Sequence, residues 1–210
     1  MKIRSIFGVA ATVMSLCGFV AAQDRGMAAL EELGRALRGA EAWQADYLQE
    51  YVAAGMVSGE EVAGAVVVAW PDRAIFRTGE PVVQVMALEG RVVRLVDHEL
   101  PSCDEHVIDD DEWARVPLAA VLDPTQALEH FTVLEGTHRG FTLVPRELGG
   151  VDRVTVELGE DGLPLEVVVV DPQGSTNRLR FTGWKKAQKP PNDSWLPDPP
   201  SGLDCTTDVQ

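Results

Sequence analysis

The side chains best equipped for chemistry crowd between positions 98 and 112. His98, Cys103 and His106 lie there among Asp104, Glu105, Asp109, Asp110, Asp111 and Glu112. Imidazole, thiolate and carboxylate are all metal-ligand types, so metal-assisted hydrolysis is the chemistry such a cluster would run. The spacing matches no closed zinc pattern, and no second ligand pair follows. A solvated acidic loop accounts for the same residues more simply. His130 and His138 flank an expected hairpin, but no serine sits in a nucleophile elbow that would use them. Carboxylates are too plentiful to single out an acid and a base. Nothing forces a catalytic set together. The expectation is a protein that is not an enzyme, with no metal site and no cofactor. A secreted, metal-assisted enzyme built on His98, Cys103 and His106 is the least favoured alternative.

Composition narrows the field further. The chain has 210 residues, with 18 Lys and Arg against 33 Asp and Glu, a net charge of −15. An acidic chain without a basic stripe has no electrostatic footprint for nucleic acid or anionic membranes. With 45% apolar and 24% charged residues, it reads as an ordinary folded domain. Met1 to Arg4 is a short basic start, Ser5 to Val20 carries no charge, and Val20-Ala21-Ala22 offers small residues for a signal peptidase. That pattern predicts a cleavable secretory leader over residues 1–22. The apolar run is shorter than the ~20 residues a spanning helix needs. Cys17 would leave with the leader. Cys103 and Cys205 remain, and in an oxidising compartment they either pair or stay separate thiols. A bond between them would stabilise the fold by roughly 4–5 kcal/mol.

The elements that must position these residues are one helix and then many short strands. Met27, Leu30, Leu33 and Leu37 recur at helical spacing, with Glu31, Glu32, Arg35 and Arg38 between them. Strands are expected at about 43–51, 62–70, 74–77, 82–88, 92–96, 131–134, 140–144, 151–158, 165–171 and 177–184, separated by short turns such as Glu89-Gly90, Asp161-Gly162 and Gln173-Gly174. Short turns mean antiparallel pairing. A second helix is expected over 112–122, with acids at its positive N-terminus and Asp123-Pro124 ending it. The tail from Lys185 is rich in proline and expected to be extended. The strands carry large apolar residues, so the helices either plug a solid core or cover a greasy cavity.

Several weak motifs in a shared order then carry a resemblance. Ala45-Asp46-Tyr47-Leu48-Gln49 follows the first helix. Gly64-Ala65-Val66-Val67-Val68-Ala69-Trp70-Pro71 comes next, then Phe76-Arg77, Pro81, the 82–88 strand and Gly90. Leu122-Asp123-Pro124 closes a central segment, and Leu165, Asp171, Gly174, Thr176 and Phe181 mark a paired-strand ending. The tail Trp195-Leu196-Pro197-Asp198-Pro199-Pro200-Ser201-Gly202-Leu203 completes the order. In this order the chain resembles the LolA family of periplasmic outer-membrane lipoprotein carriers, over about Leu30 to Leu203.

The resemblance implies an α+β, mostly antiparallel fold: a strongly curved, half-open, barrel-like sheet with helices covering a hollow apolar face. It implies a carrier domain over 23–184 and an extended segment over 185–210. The hollow would bind acyl chains of lipoproteins or other lipids. An inner-membrane ABC transporter would supply the cargo, an outer-membrane receptor would take it, and the carrier would act as a monomer. The residues expected to line the hollow are Tyr47, Trp70, Phe76, Val83, Val85, Met86, Val93, Leu95, Phe131 and Phe141, with Trp113, Pro117, Leu118 and Val121 from the lid. Trp70 stands where the family often has an arginine that ties the lid down, so Arg73 or Arg77 would substitute, or the lid would close by apolar contact. A periplasmic lipid or lipoprotein sensor of the same fold is the runner-up.

Overall fold

The computed structural model describes residues 11–109, 121–147, 149–189 and 194–208. Helix α1 (Ala11–Leu37) is one continuous rod through the amphipathic stretch expected from Met27 onward. Leu30, Leu33 and Leu37 are fully buried, while Glu31, Arg35 and Arg38 face water, as the 3.6-residue period requires. Burying each leucine contributes about 1.5–3 kcal/mol. The helix ends at Leu37, with Arg38 and Gly39 in the turn that follows, and the indole Nε1 of Trp43 donates to the carbonyls of Ala36 (3.1 Å) and Leu37 (3.2 Å), satisfying acceptors that the last turn leaves open.

The strands are β1 (Ala42–Val52), β2 (Glu60–Ala69), β3 (Arg73–Thr78), β4 (Gln84–Glu89), β5 (Val92–Asp97), β6 (Ser102–Val107), β7 (Phe131–Thr137), β8 (Gly140–Pro145), β9 (Arg153–Leu158), β10 (Pro164–Val170), β11 (Thr176–Ala187) and β12 (Thr206–Asp208). They form one sheet in the order β12-β6-β5-β4-β3-β2-β1-β11-β10-β9-β8-β7. Two antiparallel meanders meet where β1 pairs with β11, and among the described residues only β12 runs parallel to its neighbour. The edges β7 and β12 do not pair, so the sheet is curved but not closed. Leu30 and Leu33 of α1 share one core with Tyr47, Phe76, Phe131, Phe141 and Phe181, which come from widely separated strands. A flat sheet could not bring those strands around one helix. The helix lies closest over β7, where Gly26 meets Gly136: a Cβ on Gly136 would fall 2.1 Å from the Gly26 Cα.

Three elements differ from expectation. The acidic stretch after Pro101 is not a solvated loop through its first half but strand β6, paired with β5 along Val92–Asp97. Its alternation hides Cys103, and Glu105 is neutralised by Arg94, whose Nε donates to it at 3.0 Å. Asp123-Pro124 starts a helix, α2 (Pro124–His130), rather than only ending one. Asp123 is its N-cap, accepting from the Gln126 amide, and proline is well suited to the first helical position. The expected helix over 112–122 lies almost wholly outside the described residues, although 121–122 are helical.

The proline-rich tail is strapped along the convex face. Trp195 is 1% exposed in a second core with Ala42, Ala69, Ile75, Val85 and Ala87. Its amide donates to Glu89 (3.2 Å), and Arg94 Nη1 donates to the Pro197 carbonyl (2.9 Å). Beyond it, a disulfide joins Cys103 to Cys205, and β12 covers the edge of β6. An open strand edge is an aggregation hazard, so this cover protects the wall formed by β4 to β6.

Candidate functional site: an apolar hollow with a polar row

Strand alternation sends Tyr47 and Gln49 of β1, Phe76 and Thr78 of β3, Gln84 and Met86 of β4, and Asn177, Leu179 and Phe181 of β11 to the concave face. Leu95, Val121, Val167 and Val169 complete the lining of a hollow of about 480 Å³. Helix α1 fills the neighbouring part of the same face. Gly64 sits between β1 and β3, where a Cβ would meet Tyr47 ring atoms at 2.8 and 2.9 Å. The bare backbone lets the Tyr47 ring lie across β2. Its hydroxyl then reaches Thr78 Oγ1 at 2.7 Å, and its edge meets Phe76 at a centroid distance of 5.5 Å. Burial pushes the Tyr47 phenol above its ordinary pKa, against the opposing pull of the Thr78 hydrogen bond.

Among the described residues, no lysine, arginine or carboxylate lines the hollow. The arginines of the same strands point the other way. Arg178 and Arg180 pair with Glu50 and Glu166 on the convex face, 3.0 to 3.7 Å apart. The polar lining is neutral: Gln49, Thr78, Gln84 and Asn177, with Gln49 Nε2 donating to Asn177 Oδ1 at 2.9 Å.

Of the expected lining residues, Tyr47, Phe76, Met86, Leu95 and Val121 do face the hollow. Phe131 and Phe141 are buried beneath α1 in the solid core, and Val93 packs against that core. Val85 is displaced to the convex face under Trp195, because it neighbours Met86 and successive strand residues face opposite ways. Val83 is half-buried in the β3–β4 turn, with its amide donating to the Thr78 carbonyl. Trp70 is 41% exposed at the β2–β3 turn, with the Arg38 guanidinium 5.6 Å from its ring centroid. Arg73 and Arg77 alternate with the inward Phe76 and so lie on the convex side, Arg73 beside Glu89 at 3.8 Å. They cannot tie down a cover over the hollow. Trp113, Pro117 and Leu118 lie outside the described residues.

The residues not anticipated are Gln49, Thr78, Gln84, Val167, Val169, Asn177, Leu179 and Phe181. The alternation within β1, β3, β4, β10 and β11 signals them, but only the long-range β1–β11 pairing says which side is inside. The His98, Cys103 and His106 cluster is not assembled as a site: Cys103 is bonded to Cys205, and no group of three metal-ligating side chains is placed to hold an ion among the described residues. Among those residues, too, no helix is long and apolar enough to cross a membrane.

An open antiparallel sheet wrapped around a largely apolar hollow is a fold suited to binding. The comparisons agree. The family described as outer membrane lipoprotein carrier protein LolA matches residues 38–195. The chain belongs to that family, whose members are carriers and not enzymes. An outer-membrane lipoprotein carrier protein of Xanthomonas campestris pv. campestris is 25% identical over 189 residues, covering 87% of this chain and 90% of its own length. The corresponding protein of Xanthomonas oryzae pv. oryzae is 24% identical over the same span. In fold, an uncharacterized conserved protein of Thermus thermophilus superposes with a TM-score of 0.52 at 14% identity, over 86% of this chain and 97% of that one.

Proposed function

We propose that this chain carries acylated lipoproteins through the periplasm, from the inner to the outer membrane, with acyl chain held in the hollow. The observation that supports this reading is the largely apolar lining, uncharged among the described residues, around about 480 Å³. Each methylene withdrawn from water there contributes about 0.8 kcal/mol. Residues 1–22 act as a leader, and the exported protein works as a monomer between an inner-membrane ABC transporter and an outer-membrane receptor. Residues 23–184 are the carrier domain and 185–210 its strap.

Helix α1 packs over β7 and β8, beside the hollow, and Trp70 helps to hold its end. The Arg38–Trp70 contact joins the end of the helix to the sheet, and at half-exposed sites such a pair contributes about 0.5–1 kcal/mol. A weak latch suits a carrier that must also release. The test is transfer of a fluorescent-labelled acylated lipoprotein between donor and acceptor vesicles. Leu179→Arg, which places a charge in the lining, should abolish transfer while the protein stays folded. Undiminished transfer would overturn the assignment of the hollow.

A further inference from the structure

We infer that one end of the sheet rests on a lipid bilayer of neutral or zwitterionic head groups, with apolar turn tips dipping into it. This contact goes beyond the carrier reading and holds whether or not acyl chain fills the hollow. Three turns share that end: 53–59 between β1 and β2, 79–83 between β3 and β4, and 98–101 between β5 and β6. Each holds large apolar side chains in water. Val57 is fully exposed, Leu100 is 77% exposed and Met56 64%, and Tyr51 and Val82 stand exposed beside them. Turns ordinarily carry polar residues, so apolar tips gathered at one end mark a contact surface.

The backbone holds these tips in place. Gly55, with φ at 79°, takes the third position of a turn closed by the Met56 amide, which donates to the Ala53 carbonyl at 3.0 Å. The Ala54 amide donates to Ser175 Oγ at 3.3 Å, bracing this turn against the one between β10 and β11. Asp97 Oδ1 accepts from the amides of Glu99 and Leu100, both at 2.8 Å, and fixes the turn that presents Leu100. The His98 amide donates to the Val83 carbonyl at 2.8 Å, joining the second turn to the third. Tips fixed in advance lose little freedom when they dock.

Their spacing selects the partner. Neighbouring strands lie about 4.8 Å apart, so turns two strands apart sit ~10 Å apart and the row of three spans ~20 Å. Exposed Glu60, Glu61, Glu80 and Glu99 lie in or beside the same turns. A protein hot spot is one compact apolar cluster in a packed pocket. Apolar points ~10 Å apart among carboxylates match instead a surface that is apolar everywhere beneath its head groups. The same carboxylates are repelled by anionic lipid, which sets the head-group class. Gln49, Thr78, Gln84 and Asn177 of the hollow lie at or near these strand ends, so the contact brings the polar row close to the bilayer.

The experiment floats the exported protein, isolated from the periplasm, with phosphatidylcholine vesicles and no lipoprotein. Wild type should co-float. Met56→Ser/Val57→Ser/Leu100→Ser, with an unchanged urea midpoint, should bind at least about tenfold more weakly. Leu134→Ser, exposed on β7 away from the rim, and Leu179→Arg, in the hollow, should float like wild type. Mixing in phosphatidylglycerol should weaken binding, and Glu60→Gln/Glu61→Gln should restore it. Absence of co-flotation by wild type, or equal co-flotation by the triple variant, overturns the inference. So does loss of co-flotation in Leu179→Arg, which would assign attachment to the hollow, or tighter binding to phosphatidylglycerol. A wild type that never floats, with a triple variant that fails in lipoprotein transfer, would show that the rim meets a protein and not a bilayer. The carrier reading is judged separately, by transfer of labelled lipoprotein.

Discussion

Trp195→Ala separates the two faces of the sheet. The indole is 1% exposed, and its neighbours Ala42, Ala69, Ile75, Val85 and Ala87 belong to strands held on both sides by hydrogen-bonded partners. Such a floor cannot rise to fill the gap. A tryptophan buries about 150–250 Å², and at ~25 cal/mol per Å² its removal withdraws roughly 4–6 kcal/mol of apolar burial. Measured truncations of this kind fall at about 3–5 kcal/mol. The backbone hydrogen bond from residue 195 to Glu89 survives the change, and so does the disulfide that tethers the strap. A loss of about 4 kcal/mol in urea unfolding is the expected outcome. Affinity for an acyl probe should stay unchanged under native conditions, because Trp195 and the hollow lie on opposite sides of the sheet. A loss below about 1 kcal/mol would refute the strap as a second core. Collapse of probe binding without loss of stability would refute the separation of faces.

Three further outcomes follow from the same packing. Cys103→Ser/Cys205→Ser opens a link across a sequence separation of 102, and the chain-entropy account predicts a loss of about 4.7 kcal/mol; an unchanged urea midpoint without reductant would contradict it. Gly136→Val cannot keep α1 seated, since its Cβ would lie 2.1 Å from Gly26, so thermal stability should drop by about 1–3 kcal/mol. Gly150→Ala, with open space around the new carbon, should leave it unchanged and serves as the control. Tyr47 has a folded-state pKa raised above its ordinary value of 10.0. Its stabilising contribution is complete below about pH 10 and is lost as pH rises through the folded value. Tyr47→Phe should therefore lose less stability than wild type between about pH 9 and pH 11; parallel pH curves in urea titration would argue against a buried phenol.

Local patterns made much of the fold legible. Leu30, Leu33 and Leu37 announce the helix, and turn residues such as Asp161-Gly162 announce hairpins. The acidic segment was harder, because Asp104 and Glu105 mask the alternation that buries Cys103 between Val96 and the strap. Asp123-Pro124 was ambiguous in principle: the pair stops a preceding helix and caps a following one. The site was legible in type but not in orientation. Val85 and Met86 are both plausible cavity residues, yet alternation admits only one. The choice depends on which face α1 covers, a long-range matter with no local signal. The polar row was invisible for the same reason, since Gln49 and Asn177 meet across 128 positions of sequence.

The central claim is that the hollow holds acyl chain. Native mass spectrometry of the protein isolated from periplasm without detergent tests it most directly. A mass excess that extracts into organic solvent and is lost in Leu179→Arg is the result the account predicts. A bare mass, together with refusal of every acyl probe by the folded protein, would contradict it.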